Sequence, residues 1–213
     1  FVHPGVTGGP KEADYPELGF RYNPEEAKAL IDEYCAEKGI KPEDIVVSYS
    51  FNTSESRKLL AETIQFMWQD TLGITVNLKN SEWAVFKVER QQGLDNIYRS
   101  TWVQDYLDAN NFTADVFLCN AGYQTVTDWP SVDCAGADDP SYDEYESVVL
   151  QAGKESDVKI RESLYARSDE IIINEQAIIN PIYWYASVSL RKPNVIAPVS
   201  MNGYERYEKW EIK

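Results

Sequence analysis

Between Ile45 and Trp102 the sequence runs strand, helix, strand, helix, strand with almost no spare residues, and few folds accommodate that order. Ile45 to Ser50 is a β-rich apolar run, and Thr53 or Ser54 caps a helix in which Leu60, Ile64 and Met67 recur at i, i+4 and i+7, the spacing of one helical face. Gly73 ends that helix. Ile74 to Leu78 alternates apolar with polar residues as a second strand, Ser81-Glu82-Trp83 starts a short helix, Gly93 breaks it, and Asp95 to Trp102 reads as a third strand. Two successive strand-helix-strand crossovers predict an α/β fold, a mostly parallel sheet with helices packed on it.

The flanks carry weaker signals. Residues 1–22 hold Pro4, Gly5, Gly8, Gly9, Pro10 and Pro16 without a sustained period, as an extended arm would. Asn23-Pro24-Glu25-Glu26 supplies an N-cap, a proline at the first helical position and acids in the first turn, so a helix is predicted from about Pro24 to Lys38, stopped by Gly39. Its apolar stripe, Ala27, Leu30, Ile31, Tyr34 and Cys35, makes Cys35 a buried thiol. Beyond Phe112, a short apolar piece from Asp115 to Leu118 leads into a long loop with Cys119, Trp129, Pro130 and Cys134. Ser141 opens a helix; Ile160, Leu164 and Ile171 mark another that runs to about Asn174. Ala177 to Leu190 reads as an extended, mostly buried run crossed by Pro181. No linker or repeat intervenes, which favours one α/β domain over 23–199 and a tail over 200–213.

With 213 residues, 43% of them hydrophobic, the chain can bury a sizeable core. A formal charge of -15 sets a repulsive field against nucleic acid and anionic membrane. No apolar run approaches the roughly 20 residues needed to span a bilayer. An opening of FVHPGVTGGP without an initiator Met reads as processed or excised, so any export signal or lipid-anchoring Cys is expected upstream. The cysteine spacings match no zinc pattern, and the only histidine is His3. Cys119 and Cys134 are candidates for a bridge, which across such a loop would add roughly 3 kcal/mol in an oxidising compartment.

Open α/β sheets bind ligands beyond the carboxyl ends of their strands, where loops converge and helix N-termini present free N–H groups. Arg57 follows the first strand, Arg90 closes the short helix, and Arg99 stands in the third strand, so all three arginines can reach one rim. A peptide taken out of water needs a partner for its ammonium, its carboxylate and its backbone. Asp105 suits the ammonium, forked hydrogen bonds from Arg57, Arg90 and Arg99 suit the carboxylate, and main chain around Thr101 to Val103 can pair with the ligand as an added strand. Trp102 would wall a side-chain pocket. Taken singly, each of these residues is commonplace on an α/β surface.

The order of the whole set is not. Ser54 and its helix follow an Asn52-Thr53-Ser54 turn; then come Gly73-Ile74-Thr75-Val76-Asn77-Leu78-Lys79-Asn80-Ser81-Glu82-Trp83, Arg90-Gln91-Gln92-Gly93 and Arg99 to Tyr106. Later, the run from Asp169 to Asn180 precedes Pro181-Ile182-Tyr183-Trp184-Tyr185. From about Tyr22 onward this resembles the C-terminal lobe of the oligopeptide-binding proteins that serve ABC importers. The resemblance implies a periplasmic-binding-protein-like lobe (type II, large peptide-binding cluster), without catalytic residues or cofactor. It implies that Asp105 binds the ligand α-amino group and that Arg57, Arg90 and Arg99 handle the C-termini of peptides of different length. The expected partners are an oligopeptide, the permease transmembrane subunits of the importer, and a first lobe of the same protein to which residues 200–213 return. The expected location is the periplasm or cell exterior, with a lipid-modified upstream Cys as anchor in a Gram-positive-like cell. Thr101 replaces a usual glycine, Val103 stands where some relatives carry cysteine, and Leu107-Asp108-Ala109-Asn110 replaces a proline-containing turn.

Two rivals come from other classes. A glycoside or peptide hydrolase would use Asp105 and Asp108 as paired acids, although no G-x-S-x-G elbow is present and no histidine is placed to act as base. A protein-interaction module would use the aromatic-rich stretch from Tyr123 to Tyr145, with Trp129 at its centre.

Overall fold

The computed structural model describes residues 1–119, 121, 129, 139–186, 188–198 and 205–213. They form two compact units: Arg21–Thr101, and Phe1–Phe20 together with Trp102–Lys213.

Arg21–Thr101 is the α/β unit. Helix α1, Pro24–Lys38, starts where the Asn23 side chain accepts the Glu26 N–H and ends at Gly39, whose φ of 67° is the left-handed stop that glycine tolerates. Strand β1 (Val46–Asn52), helix α2 (Glu55–Leu72), strand β2 (Thr75–Ser81), helix α3 (Trp83–Gln91) and strand β3 (Ile97–Tyr98) follow. The strand order is β2-β1-β3, and both pairings are parallel. Tyr49 lies opposite both Leu78 and Ile97, so the period-2 rule sends Tyr49 and Phe51 of β1 to one face. There they bury against Val76, Ile74 and Ala61, with Ile64, Trp68, Leu72 and Ile31 closing the sides.

Three local expectations need correction. The buried stripe of α2 is Ala61, Ile64, Trp68 and Leu72 rather than Leu60, Ile64 and Met67. Both stripes share Ile64, and a rotation of about one residue seats the larger Trp68 while leaving Met67 exposed. In α1, Cys35 is buried and a free thiol as expected, but Leu30 and Tyr34 are exposed. The third strand is two residues long, not eight. Before it, Asn96 Oδ1 takes the Ser48 N–H at 2.8 Å and the Asn96 N–H goes to Ser48 Oγ at 2.9 Å, so side chains replace ladder bonds. After it, pairing persists for one bond, Arg99 N–H to Ser50 O at 2.9 Å.

The second unit is mainly helical: α4 (Asn110–Phe117), α5 (Pro140–Ala152) and α6 (Val158–Glu170), the last running into a π-helical turn, Ile171–Glu175. The apolar piece expected from Asp115 to Leu118 is therefore the end of a helix. Its core gathers Phe117, Trp129, Tyr142, Tyr145, Val149 and Ile171 to Ile173. Beside it Val2, Ala109, Phe112, Ala152 and Tyr165 form a smaller cluster, so residues 1–20 pack by their apolar start. Thr7 O accepts the Ala109 N–H at 2.8 Å. Gly8 has φ 78°, and a Cβ there would come within 3.0 Å of the Tyr165 ring, so only glycine fits. Burial pushes the Tyr165 hydroxyl up to about 12. Strands β4 (Val195–Ile196) and β5 (Glu211–Ile212) pair antiparallel.

The stretch expected to be extended and mostly buried is not buried. Ile182, Tyr183, Trp184, Tyr185, Val188 and Leu190 each expose more than half of their surface. Among the described residues no strand pairs with it, so its apolar side chains have no sheet face to cover.

The start of α5 gives a pH-dependent prediction. Asp139 accepts from Ser141 Oγ at 2.6 Å, from the Ser141 N–H at 3.0 Å and from Trp129 Nε1 at 3.1 Å. The bond from the Ser141 hydroxyl, ahead of the others, holds its carboxyl below the usual value of 3.8. A depressed folded pKa means that this cap stabilises fully above the unfolded Asp value and is lost as pH falls through the lower folded one. Asp139→Ala is expected to cost about 1 kcal/mol at neutral pH, and the difference from wild type should shrink toward pH 3 in urea unfolding.

Candidate ligand-binding site

In the α/β unit, the carboxyl ends of β1 and β2 are tied together. The Thr53 N–H donates to Ser81 O at 2.9 Å, and Thr53 Oγ1 donates to Asn80 Oδ1 at 2.9 Å. Arg57 is the third residue of α2, just past this edge, and makes no hydrogen bond or ion pair among the described residues. Arg99 continues β3 beside the last third of β1. Arg90 is placed differently. It lies eight residues into α3, about 10 Å along the helix axis from the edge where that helix starts. It is buried, with its guanidinium 5.6 Å from the Phe86 ring centroid. Arg57 and Arg99 thus share the carboxyl edge of the sheet, and Arg90 is buried near the far end of α3 against Phe86 of the same helix. Thr101, half-buried, is the last residue of this unit.

Trp102 begins the other unit and packs against both of its apolar clusters. Its Nε1 donates to Asn111 Oδ1 at 3.1 Å, and the Asp105 N–H donates to the same oxygen at 2.8 Å. Between these two anchors Val103 is exposed. The Asp105 carboxylate is also exposed and takes no hydrogen bond or ion pair among the described residues. Tyr106 donates to Asp115 at 2.7 Å; burial raises its hydroxyl pKa, and the Asp115 carboxylate adds to the rise.

Asp108 has a different occupation. Arg161 grips it with a fork, Nη1 to Oδ2 at 2.8 Å and Nη2 to Oδ1 at 2.7 Å, and also donates to Tyr165 and to Ala152 O. The Asp108 hydrogen bond foremost, this raises the Arg161 pKa. With both oxygens engaged by Arg161, the Asp108 carboxylate is committed to a structural ion pair rather than free to pair with Asp105. Trp129 is buried in the core, its ring 5.2 Å from that of Tyr142 and 5.3 Å from that of Tyr145, so it is no surface anchor for a partner. Most of the stretch from Tyr123 to Tyr145 lies outside the described residues. Of the expected bridge, Cys119 is disulfide-bonded and Cys134 lies outside them. Among the described residues, no group of three His, Cys, Asp or Glu could hold a metal, and no helix is long and apolar enough to cross a membrane.

Sequence reasoning missed Asn111 and Arg161. Nothing in Asn110-Asn111 distinguishes the fully buried asparagine from its half-exposed neighbour, and Arg161 meets Asp108 from 53 residues away.

A parallel α/β unit ending in an arginine-bearing edge, followed by a strap whose carboxylate has no partner among the described residues, is an arrangement suited to binding a charged ligand. Known proteins agree. The family of bacterial extracellular solute-binding proteins, family 5, matches in its middle section over residues 1–124, and the chain belongs to this family. It is 31% identical over 202 residues to the dipeptide-binding protein DppE of Bacillus subtilis, covering 92% of this chain and 34% of that protein. It is 30% identical to the periplasmic murein peptide-binding protein MppA of Escherichia coli, over 89% of this chain and 33% of that one. In three dimensions it resembles Haemophilus influenzae OppA in complex with the peptide RPPGFSPFR, with a TM-score of 0.68, 26% identity, and coverage of 92% of this chain and 36% of that one. The chain therefore has the α/β fold of peptide-binding periplasmic proteins and spans about a third of the length of the relatives it matches.

Proposed function

We propose that this chain is the second lobe of an oligopeptide-binding protein that serves an ABC importer outside the cytoplasmic membrane, lipid-anchored where the cell is Gram-positive-like. In this reading, ligand is enclosed by closure onto a first lobe and handed to the permease without being cut. Residues 1–22 are an arm, 23–199 the ligand-binding lobe, and 200–213 the return to the first lobe. Asp105 binds the peptide ammonium, and Arg57 and Arg99, at the carboxyl edge of the sheet, serve its carboxylate, whereas the buried Arg90, placed away from that edge, does not. The main chain of Thr101 to Val103 pairs with the ligand backbone beside the wall of Trp102. No cofactor, metal or nucleic acid takes part.

The observation that carries the proposal is the state of Asp105, whose backbone is tied down while its carboxylate has no partner among the described residues. Support comes from the family and from relatives named for the peptides they bind. A thermal-shift screen of the full-length protein against peptides of two to five residues tests it. A ligand present at about 100 times its Kd should stabilise by about 2.7 kcal/mol, a rise of several degrees. No shift with any peptide, or turnover of one, contradicts the proposal.

A further inference from the structure

Asn111, the second residue of α4, is completely buried. Its amide is used at both ends. Oδ1 accepts from Trp102 Nε1 at 3.1 Å and from the Asp105 N–H at 2.8 Å, while Nδ2 donates to Asp115 Oδ2 at 2.8 Å. That same carboxylate oxygen accepts the Tyr106 hydroxyl, so the strap residues Trp102, Asp105 and Tyr106 all converge on one hydrogen-bonded pair, the buried Asn111 and the half-buried Asp115. The amide has only one workable orientation. Turned over, its NH2 would face two donors and its carbonyl a carboxylate.

The bonds divide the strap's polar groups unevenly. The indole N–H and the Asp105 backbone N–H are consumed, which fixes both ends of the short run through Val103 and Gln104. The Asp105 carboxylate is left over, exposed and without a partner among the described residues. Holding a charged group by its backbone sets its direction without neutralising it, and spares the ligand the entropy of ordering the strap.

We propose that Asn111 is the positioning residue of the ammonium site: its amide aims the Asp105 carboxylate and acts on ligand chiefly through it, with a smaller contribution through its bond to Trp102. This rests on the reading of Asp105 given above. Loss of the shared acceptor removes two hydrogen bonds that preorganise the strap, an effect of about tenfold on affinity.

The test is calorimetric titration of the full-length protein with trialanine and with N-acetyl-trialanine, in wild type, Asp105→Ala, Asn111→Ala, the double variant, and Asp115→Asn. Asn111→Ala should weaken trialanine about tenfold, weaken the acetylated peptide no more than about threefold through the lost Trp102 bond, and add little to Asp105→Ala. Asp115→Asn keeps the size and one acceptor, so it should show a smaller loss, about threefold, in the same free-amine-specific sense, and it decides the matter if Asn111→Ala does not fold. Equal weakening of both peptides, or weakening of neither, overturns the role of Asn111. If Asp105→Ala is itself selective and Asn111→Ala is not, only this inference falls. If Asp105→Ala is unselective, the ammonium site falls and Asn111 with it.

Discussion

Truncating Tyr145 to alanine is expected to destabilise the helical unit by about 3–5 kcal/mol, the range for removing a buried aromatic ring. Tyr145 is fully buried where α4, α5 and the π-helical turn meet. The rings of Trp129, Phe117 and Tyr142 lie 5.3, 6.3 and 6.5 Å away. The two closest contacts are edge-on, the geometry that adds most beyond area alone. Its hydroxyl donates to Thr113 O at 3.2 Å, and burial, before the nearby Asp169 charge, drives its pKa well above the ordinary value. Tyr145→Phe retains the ring and should cost only about 1 kcal/mol. Urea unfolding of both variants checks the pair: a large alanine effect with a small phenylalanine one is expected, and equal small effects would show that the cluster is not the unit's core.

Asp105→Ala is the second large effect, and it bears on ligand rather than on stability. The carboxylate is exposed and makes no hydrogen bond or ion pair among the described residues, so its removal should leave the melting temperature within a degree or two of wild type. On closure around a peptide it would become one half of a desolvated ion pair. Removing one partner of such a pair costs about 2–5 kcal/mol, much of it the penalty of an ammonium left buried alone. Free-amine peptides should therefore bind about 30-fold to several thousand-fold more weakly, whereas N-acetylated peptides, which bring no charge, should change little. Competition binding with matched peptide pairs measures the difference directly.

Much of the architecture was legible because local and global signals coincide. Asn23, Pro24 and Gly39 mark α1 to the residue, Gly73 stops α2, and the strand-helix-strand order yields the parallel sheet. What the sequence concealed were matters of burial and distance. Leu60 and Ala61 both fit a helical stripe with Ile64, and only the bulk of Trp68 decides between them. Ile97 and Tyr98 were visible as strand, but not that Asn96 and Ser48 side chains would take over the bonds before them. The apolar run from Ile182 to Leu190 has the composition of a buried strand and finds no partner among the described residues.

The same division holds at the site. Trp102 and Asp105 stand out by residue type and spacing, and Arg57 and Arg99 by their place after parallel strands. Asn111 and Arg161 act through contacts that chain order does not reveal, and they change what the acids can do. Arg161 commits Asp108 to the fold, while Asn111 secures the Asp105 backbone and leaves its charge available.

A crystal structure of the full-length protein with a free-amine tripeptide bound is the most direct measurement of the central claim. The ligand ammonium is predicted about 2.7–3.2 Å from the Asp105 carboxylate, with the peptide intact and its backbone paired to Thr101 through Val103. A bound peptide whose ammonium is held elsewhere, with Asp105 still facing solvent, would contradict it.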